Sequence, residues 1–148
     1  MLSVNLAGIS GIMLGMPVHR DLPWQVARSL IEAQALCQAK GIPLDIRLLV
    51  GSSIVVAART KVAWEFMQSD CDRLFWVDSD IAFRGEDFMR LIALSTVMPI
   101  VGVAYPTKRD PLQIRFDIEP GEVETNEHGC IPVNGMGLGF TIVQRCVI

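Results

Sequence analysis

Residues 73–83 read Arg73-Leu74-Phe75-Trp76-Val77-Asp78-Ser79-Asp80-Ile81-Ala82-Phe83, four consecutive large apolar side chains broken by two carboxylates two positions apart. An apolar run without alternation suits a strand covered on both faces, the condition of a central strand in an α/β sheet. Open α/β sheets bind ligands outside the carboxyl ends of their strands, and this run ends in Asp78-Ser79-Asp80. Two neighbouring carboxylates repel unless a cation lies between them. Hard divalent ions such as Mg2+ or Mn2+ take such oxygen ligands and usually share them with a substrate's phosphates. The alternative at this point is a polar turn whose first aspartate caps the next helix.

Working towards the amino terminus, Leu44 to Val50 reads as a second strand. Between the two, Ser52 or Ser53 caps a helix running to about Gln68, with Val55, Val62 and Phe66 on one face and Val56, Ala63 and Met67 beside it. Further back, Ile9 to Gly15 reads as a buried strand closed by Met16-Pro17-Val18-His19. Asp21 is a good N-cap for a helix that places Val26, Leu30, Ala33 and Leu36 on one face and stops at Gly41. Towards the carboxyl terminus, Glu86 to Ser95 predicts a helix with acidic residues in its favourable first turn. Pro99 to Ala104 predicts another buried strand. Ile114 to Val133 reads as short antiparallel strands and loops, Asn134 to Gly139 is glycine-rich, and Phe140 to Val143 is a last strand. Gln144 to Ile148 resembles the start of a helix without a cap, so the chain reads either as a naturally short protein or, the favoured reading, as incomplete at that end. The order predicts a three-layer α/β/α domain over residues 1–148 with a mostly parallel, mixed sheet.

Composition narrows the function. With 148 residues, 51% hydrophobic and 20% charged, the chain has the material for a core and is no disordered segment. Thirteen Lys and Arg against sixteen Asp and Glu give a net charge of −3, which argues against a duplex nucleic-acid binder. The mean hydropathy is +0.39. The uncharged stretch from Met1 to Met16 nevertheless falls short of a membrane span, is rich in Gly, Ser and Asn, and lacks the basic flank of a signal peptide. Cys37, Cys71, Cys130 and Cys146 show no metal-ligand spacing, so free thiols in a cytoplasmic protein are expected. The methionines 13, 16, 67 and 89 read as core fillers, and Trp24 and Trp64 as core or subunit-contact residues. The hydrophobic surplus is compatible with a homo-oligomer.

Residues 73–83 resemble the nucleotide-sugar site of GT-A fold glycosyltransferases, in which an apolar strand leads into a DxD motif. Four further segments resemble small glycosyltransferase family 2-like proteins of phages and bacteria: Gly15-Met-Pro-Val-His19, Ala57-Ala-Arg-Thr-Lys-Val-Ala63, Val101-Gly-Val-Ala-Tyr-Pro-Thr-Lys108 and Asn134-Gly-Met-Gly-Leu-Gly-Phe140. Their order agrees with the family's and they span nearly the whole chain. The resemblance implies a GT-A fold and transfer of a sugar from a UDP- or GDP-linked donor to an acceptor hydroxyl, with Mn2+ or Mg2+ as cofactor. It implies that Pro17 and His19 border the nucleobase, that Arg59 approaches the nucleotide or its phosphates, that Asp78 contacts the ribose or, through water, the metal, and that Asp80 ligates the metal directly and holds the diphosphate. Lys108, with Arg109, would help neutralise phosphate, and Gly135, Gly137 and Gly139 would let the backbone approach sugar or acceptor. The base that deprotonates the acceptor is not assigned, because family members carry it beyond the glycine-rich segment; Asp110, Asp117 and Glu119 are the carboxylates nearby. Two other readings stand beside this one: a non-catalytic GT-A-like nucleotide-binding or oligomerising domain, and a sugar-phosphate nucleotidyltransferase. The latter needs a glycine-rich triphosphate loop after the first strand, of which Gly15 to Arg20 is a poor version.

Overall fold

A computed structural model of the chain describes residues 6, 8–51, 54–106, 114, 116–118, 121 and 123–148. The first strand, β1 (Ile12–Val18), leads into α1 (Trp24–Ala39), β2 (Leu44–Val50), α2 (Val55–Gln68) and β3 (Arg73–Val77). Then come α3 (Gly85–Leu94), β4 (Ile100–Gly102), the short β5 (Phe116–Asp117) and β6 (Gly135–Met136), β7 (Phe140–Gln144) and a 3-10 turn at Arg145–Val147. The main sheet has the order β2-β1-β3-β7-β4. Strand β1 pairs in parallel with both β2 and β3, whereas β7 runs antiparallel between β3 and β4. The result is a mixed α/β sheet with a parallel core, and β5 and β6 form a separate two-stranded ribbon.

The alternation of β1 explains the layers. Ile12, Leu14, Met16 and Val18 pack into a core with Val26, Leu30 and Ala33 of α1, Phe75 and Val77 of β3, and Phe88, Leu91 and Ile92 of α3. Met13 faces the other way and joins Val62 and Phe66 of α2 with Leu74 and Trp76. Helices therefore cover both faces of the sheet. Gly15 sits on the α2 face, where any Cβ would strike Val62 Cγ1, so α2 rests directly on the β1 backbone there. The rings of Phe75, Phe83, Phe88 and Phe140 form one tilted cluster beneath the end of β3, with centroid separations from 4.6 to 5.7 Å.

Several boundaries differ from the sequence expectation. Strand β1 continues through Pro17, which the pattern assigns to a closing loop. A proline is tolerated because the β1–β3 pairing ends at Gly15, so beyond that point β1 has a neighbour only in β2. Asp21 caps nothing: α1 begins at Trp24, and the Pro23 carbonyl accepts the amides of Val26 and Ala27. At its other end Gly41 adopts φ +68°, and the Gly41 and Ile42 amides donate to Gln38 and Cys37 carbonyls, a Schellman closure. Ser52 and Ser53 lie outside the described residues. Trp24 and Trp64 are exposed rather than core, and so are Val55, Val56 and Met67, because α2 turns Ala58, Val62 and Phe66 to the sheet. Gln144 completes β7, and the residues after it form the 3-10 turn instead of a longer helix. No helix among the described residues is long and apolar enough to cross a membrane.

Candidate functional site

At the carboxyl end of β3 the chain turns at Asp78, whose amide donates to the Gly139 carbonyl at 2.8 Å while its own carbonyl accepts the Ile81 amide at 3.0 Å. The first bond extends the β3–β7 ladder by one step, so the Asp78 backbone is fixed by the sheet. Its side chain meets Arg59: Nη2 donates to Asp78 Oδ1 at 2.8 Å, with the two side chains 28% and 35% exposed. Arg59 lies in the second turn of α2, and its guanidinium carbon is 6.0 Å from the Trp76 ring centroid, at the outer limit of a cation–π contact. Arg59 Nε is buried and makes no hydrogen bond in the structure. A buried donor left so costs about 1–3 kcal/mol, a strain that an incoming acceptor relieves.

On the opposite side of Asp78, Gly139 is held from two directions. Its amide donates to Tyr105 Oη at 3.0 Å. A Cβ at Gly139 would run into that hydroxyl and approach Asp78 Oδ2 to 2.8 Å, and one at Gly137 would come within 2.7 Å of Tyr105 Oη. The close approach that these two glycines permit is thus to Tyr105 and the Asp78 carboxylate. Gly135 lies in β6 opposite Asp117. With Ile114, Phe116, Met136 and Gly137 these two residues line an open hollow of about 470 Å³.

The structure brings Arg59, Asp78 and Gly139 into one cluster and adds Tyr105 from the segment Val101–Lys108, a residue to which the sequence assigns no role. The only signal available there was a lone tyrosine in an apolar, proline-containing run. Asp80 lies exposed in the turn two residues past Asp78. Pro17 occupies the same sheet face as Gly15, beyond the last β1–β3 pair, and His19 is exposed just after β1. Both therefore lie at the carboxyl edge of the sheet that carries Asp78. Lys108 lies outside the described residues, as do Arg109, Asp110 and Glu119.

Among the described residues no three His, Cys, Asp or Glu side chains gather in a group that could hold a metal by themselves. Among the described residues, the carboxylates in this turn are Asp78, one oxygen of which serves Arg59, and Asp80. One or two carboxylates completed by water and substrate phosphates is the usual manner of binding Mg2+ or Mn2+, and this donor set fits it. Comparison with models of known protein families gives no match, and a search of curated proteins finds no relative.

Proposed function

We propose that the protein is a metal-dependent glycosyltransferase of the GT-A kind, which binds a nucleoside-diphosphate sugar at the carboxyl edge of β1 and β3. The observation that carries this reading is the cluster of Arg59, Asp78, Tyr105 and Gly139 at the end of the most apolar strand, beside the exposed Asp80. Position supports it, since ligands of α/β sheets lie at that edge. Chemistry supports it as well: a guanidinium with an unsatisfied N–H is paired with the Asp78 carboxylate, and a second carboxylate, Asp80, follows two residues along, a combination suited to a diphosphate and its counter-ion.

In this reading Asp80, with Asp78, holds Mg2+ or Mn2+, and the bound ion supplies Lewis-acid stabilisation of the departing diphosphate. Arg59 then turns from Asp78 towards a phosphate oxygen and satisfies its buried Nε. Tyr105 fixes the Gly139 amide and so keeps the loop after β6 against the Asp78 carboxylate. The open hollow beside Gly135 and Gly137 receives the sugar or the acceptor. During transfer the acceptor oxygen bonds to the anomeric carbon and gives its proton to a base or water, while the bond from that carbon to the diphosphate oxygen breaks and its electron pair leaves with the diphosphate.

A thermal-shift screen of UDP, GDP, CDP and their sugar conjugates, with and without Mn2+, tests the reading. Specific binding stabilises the fold by about 2.7 kcal/mol at a hundredfold excess over Kd. The expected result is a shift for one nucleotide that requires Mn2+ and disappears in Asp80→Ala. Absence of a shift with every nucleotide, or a shift that survives Asp80→Ala unchanged, overturns it.

A further inference from the structure

Strand β2, Leu44–Val50, ends the main sheet: β1 covers its inner edge, and no strand among the described residues pairs with its outer edge. Such an edge offers a row of backbone donors and acceptors to another strand. Its side chains divide between the two sheet faces. Leu44 and Ile46 pack into the core on the α1 side, and Leu49 packs into the core on the α2 side, where Asp45 and Arg47 also fall by alternation. Leu48 and Val50, on the α1 side, are 43% and 62% exposed. Asp45 and Arg47 form an exposed ion pair along the strand, Nη2 to Oδ2 2.8 Å.

An acid and a base two positions apart on one face make an edge complementary to itself when it runs antiparallel to a copy. A two-fold axis normal to the sheet keeps each side chain on its own face, so partner positions must sum to an even number. With the axis at Asp45 or at Arg47, a like charge faces its own copy. With the axis at Ile46, Asp45 faces Arg47 of the second copy and Arg47 faces its Asp45, while Leu44 lies opposite Leu48 and Ile46 opposite Ile46. That register alone places opposite charges on one face and aliphatic side chains on the other, and it covers the exposed Leu48.

We propose that β2 is the interface with a second copy of this chain, paired antiparallel about Ile46 so that two five-stranded sheets join into one. The inference goes beyond the nucleotide-sugar reading and is independent of it, since β2 is separated from β3 and Asp78 by β1. The in-strand ion pair is replaced by two equivalent pairs between copies, and exposed pairs of this kind exchange at little cost.

Light scattering and sedimentation of the whole chain over a concentration series test the proposal, together with Asp45→Arg, Arg47→Asp and the double exchange D45R/R47D. The wild type is expected to be dimeric. Each single variant sets like charges opposite one another twice per dimer and weakens association about thirtyfold. The double exchange restores pairing. An equimolar mixture of the two single variants forms a mixed dimer, since one edge then carries two arginines and the other two aspartates. That mixture separates an interface effect from a folding defect, because misfolded chains do not regain association on mixing. A wild type that remains monomeric at all concentrations overturns the proposal. So does a dimer indifferent to both single variants, or a mixture of single variants that stays monomeric.

Discussion

Replacing Gly139 by alanine adds one methyl group at the most crowded point of the site. The new Cβ would collide with Tyr105 Oη, lie 2.5 Å from Tyr105 Cζ and stand 2.8 Å from Asp78 Oδ2. Gly139 is not among the glycines with positive φ, so the backbone accepts alanine and the whole effect is steric. Relieving the collision moves the phenol, which lengthens the 3.0 Å bond from the Gly139 amide. Overpacking costs about 1–3 kcal/mol and the weakened hydrogen bond about 1 kcal/mol, so Gly139→Ala should lose about 2–4 kcal/mol of folding stability. In urea this lowers the unfolding midpoint by roughly 1–2 M with an unchanged slope. Gly135→Ala is the control: its Cβ meets nothing nearer than Asp117 Cβ at 3.5 Å, and its cost should stay under about 1 kcal/mol. Because the first obstacle is the Tyr105 hydroxyl, Gly139→Ala combined with Tyr105→Phe should be better tolerated than the sum of the single effects, with a coupling of at least about 1 kcal/mol. A Gly139→Ala protein within about 0.5 kcal/mol of the wild type would refute the reasoning, as would strict additivity with Tyr105→Phe.

The same measurements reach two other parts of the molecule. Arg145 closes the carboxyl end of α2: its guanidinium donates to the carbonyls of Phe66 at 2.8 Å, Ser69 at 2.6 Å and Cys71 at 2.6 Å, and lies 4.5 Å from the Phe66 ring centroid. Arg145→Met should therefore cost about 2–3 kcal/mol in urea unfolding, and a loss below about 0.5 kcal/mol would show that water replaces those bonds without penalty. Cys37, in the last turn of α1, is buried in the core, and burial pushes its thiol from 9.0 up to about 11. Between those values the unfolded chain releases the proton while the folded chain keeps it, so stability is complete below the lower value and declines as pH rises through the window. The decline due to Cys37 should approach roughly 2–3 kcal/mol and be absent from Cys37→Ala. Equal pH dependence in both proteins would exclude Cys37 as its source.

The order of elements was largely legible in the sequence because it rests on local signals. The unbroken apolar run at residues 74–77 could be buried only as a strand with helices on both sides, and β3 has that position. The aliphatic spacing of α1 and the glycine at its end depend on neighbours three and four residues apart, and both hold in the structure. The two carboxylates after β3 were conspicuous for the same reason, since a polar pair interrupts an apolar run within a few residues. Element ends were less legible: Pro17 entered β1 because of where the pairing with β3 stops, a fact about a strand more than fifty residues away.

What the tertiary structure decided is which distant residues meet. Nothing local in Phe140–Gln144 states its direction, because a strand buried on both faces presents the same apolar sequence read either way. Its antiparallel place between β3 and β4 follows from long-range pairing, and that pairing carries Gly139 to Asp78. Nothing in the residues around Arg59 states which side chain it meets; the packing of α2 on β1 aims its guanidinium at the Asp78 carboxylate. Tyr105, thirty-four residues before Gly139, gave no local sign that its hydroxyl would hold that amide. Sequence by itself determined which stretches are strands and helices and where the charge is concentrated, because those depend on neighbours along the chain. Packing determined the site, because its members are neighbours only in space.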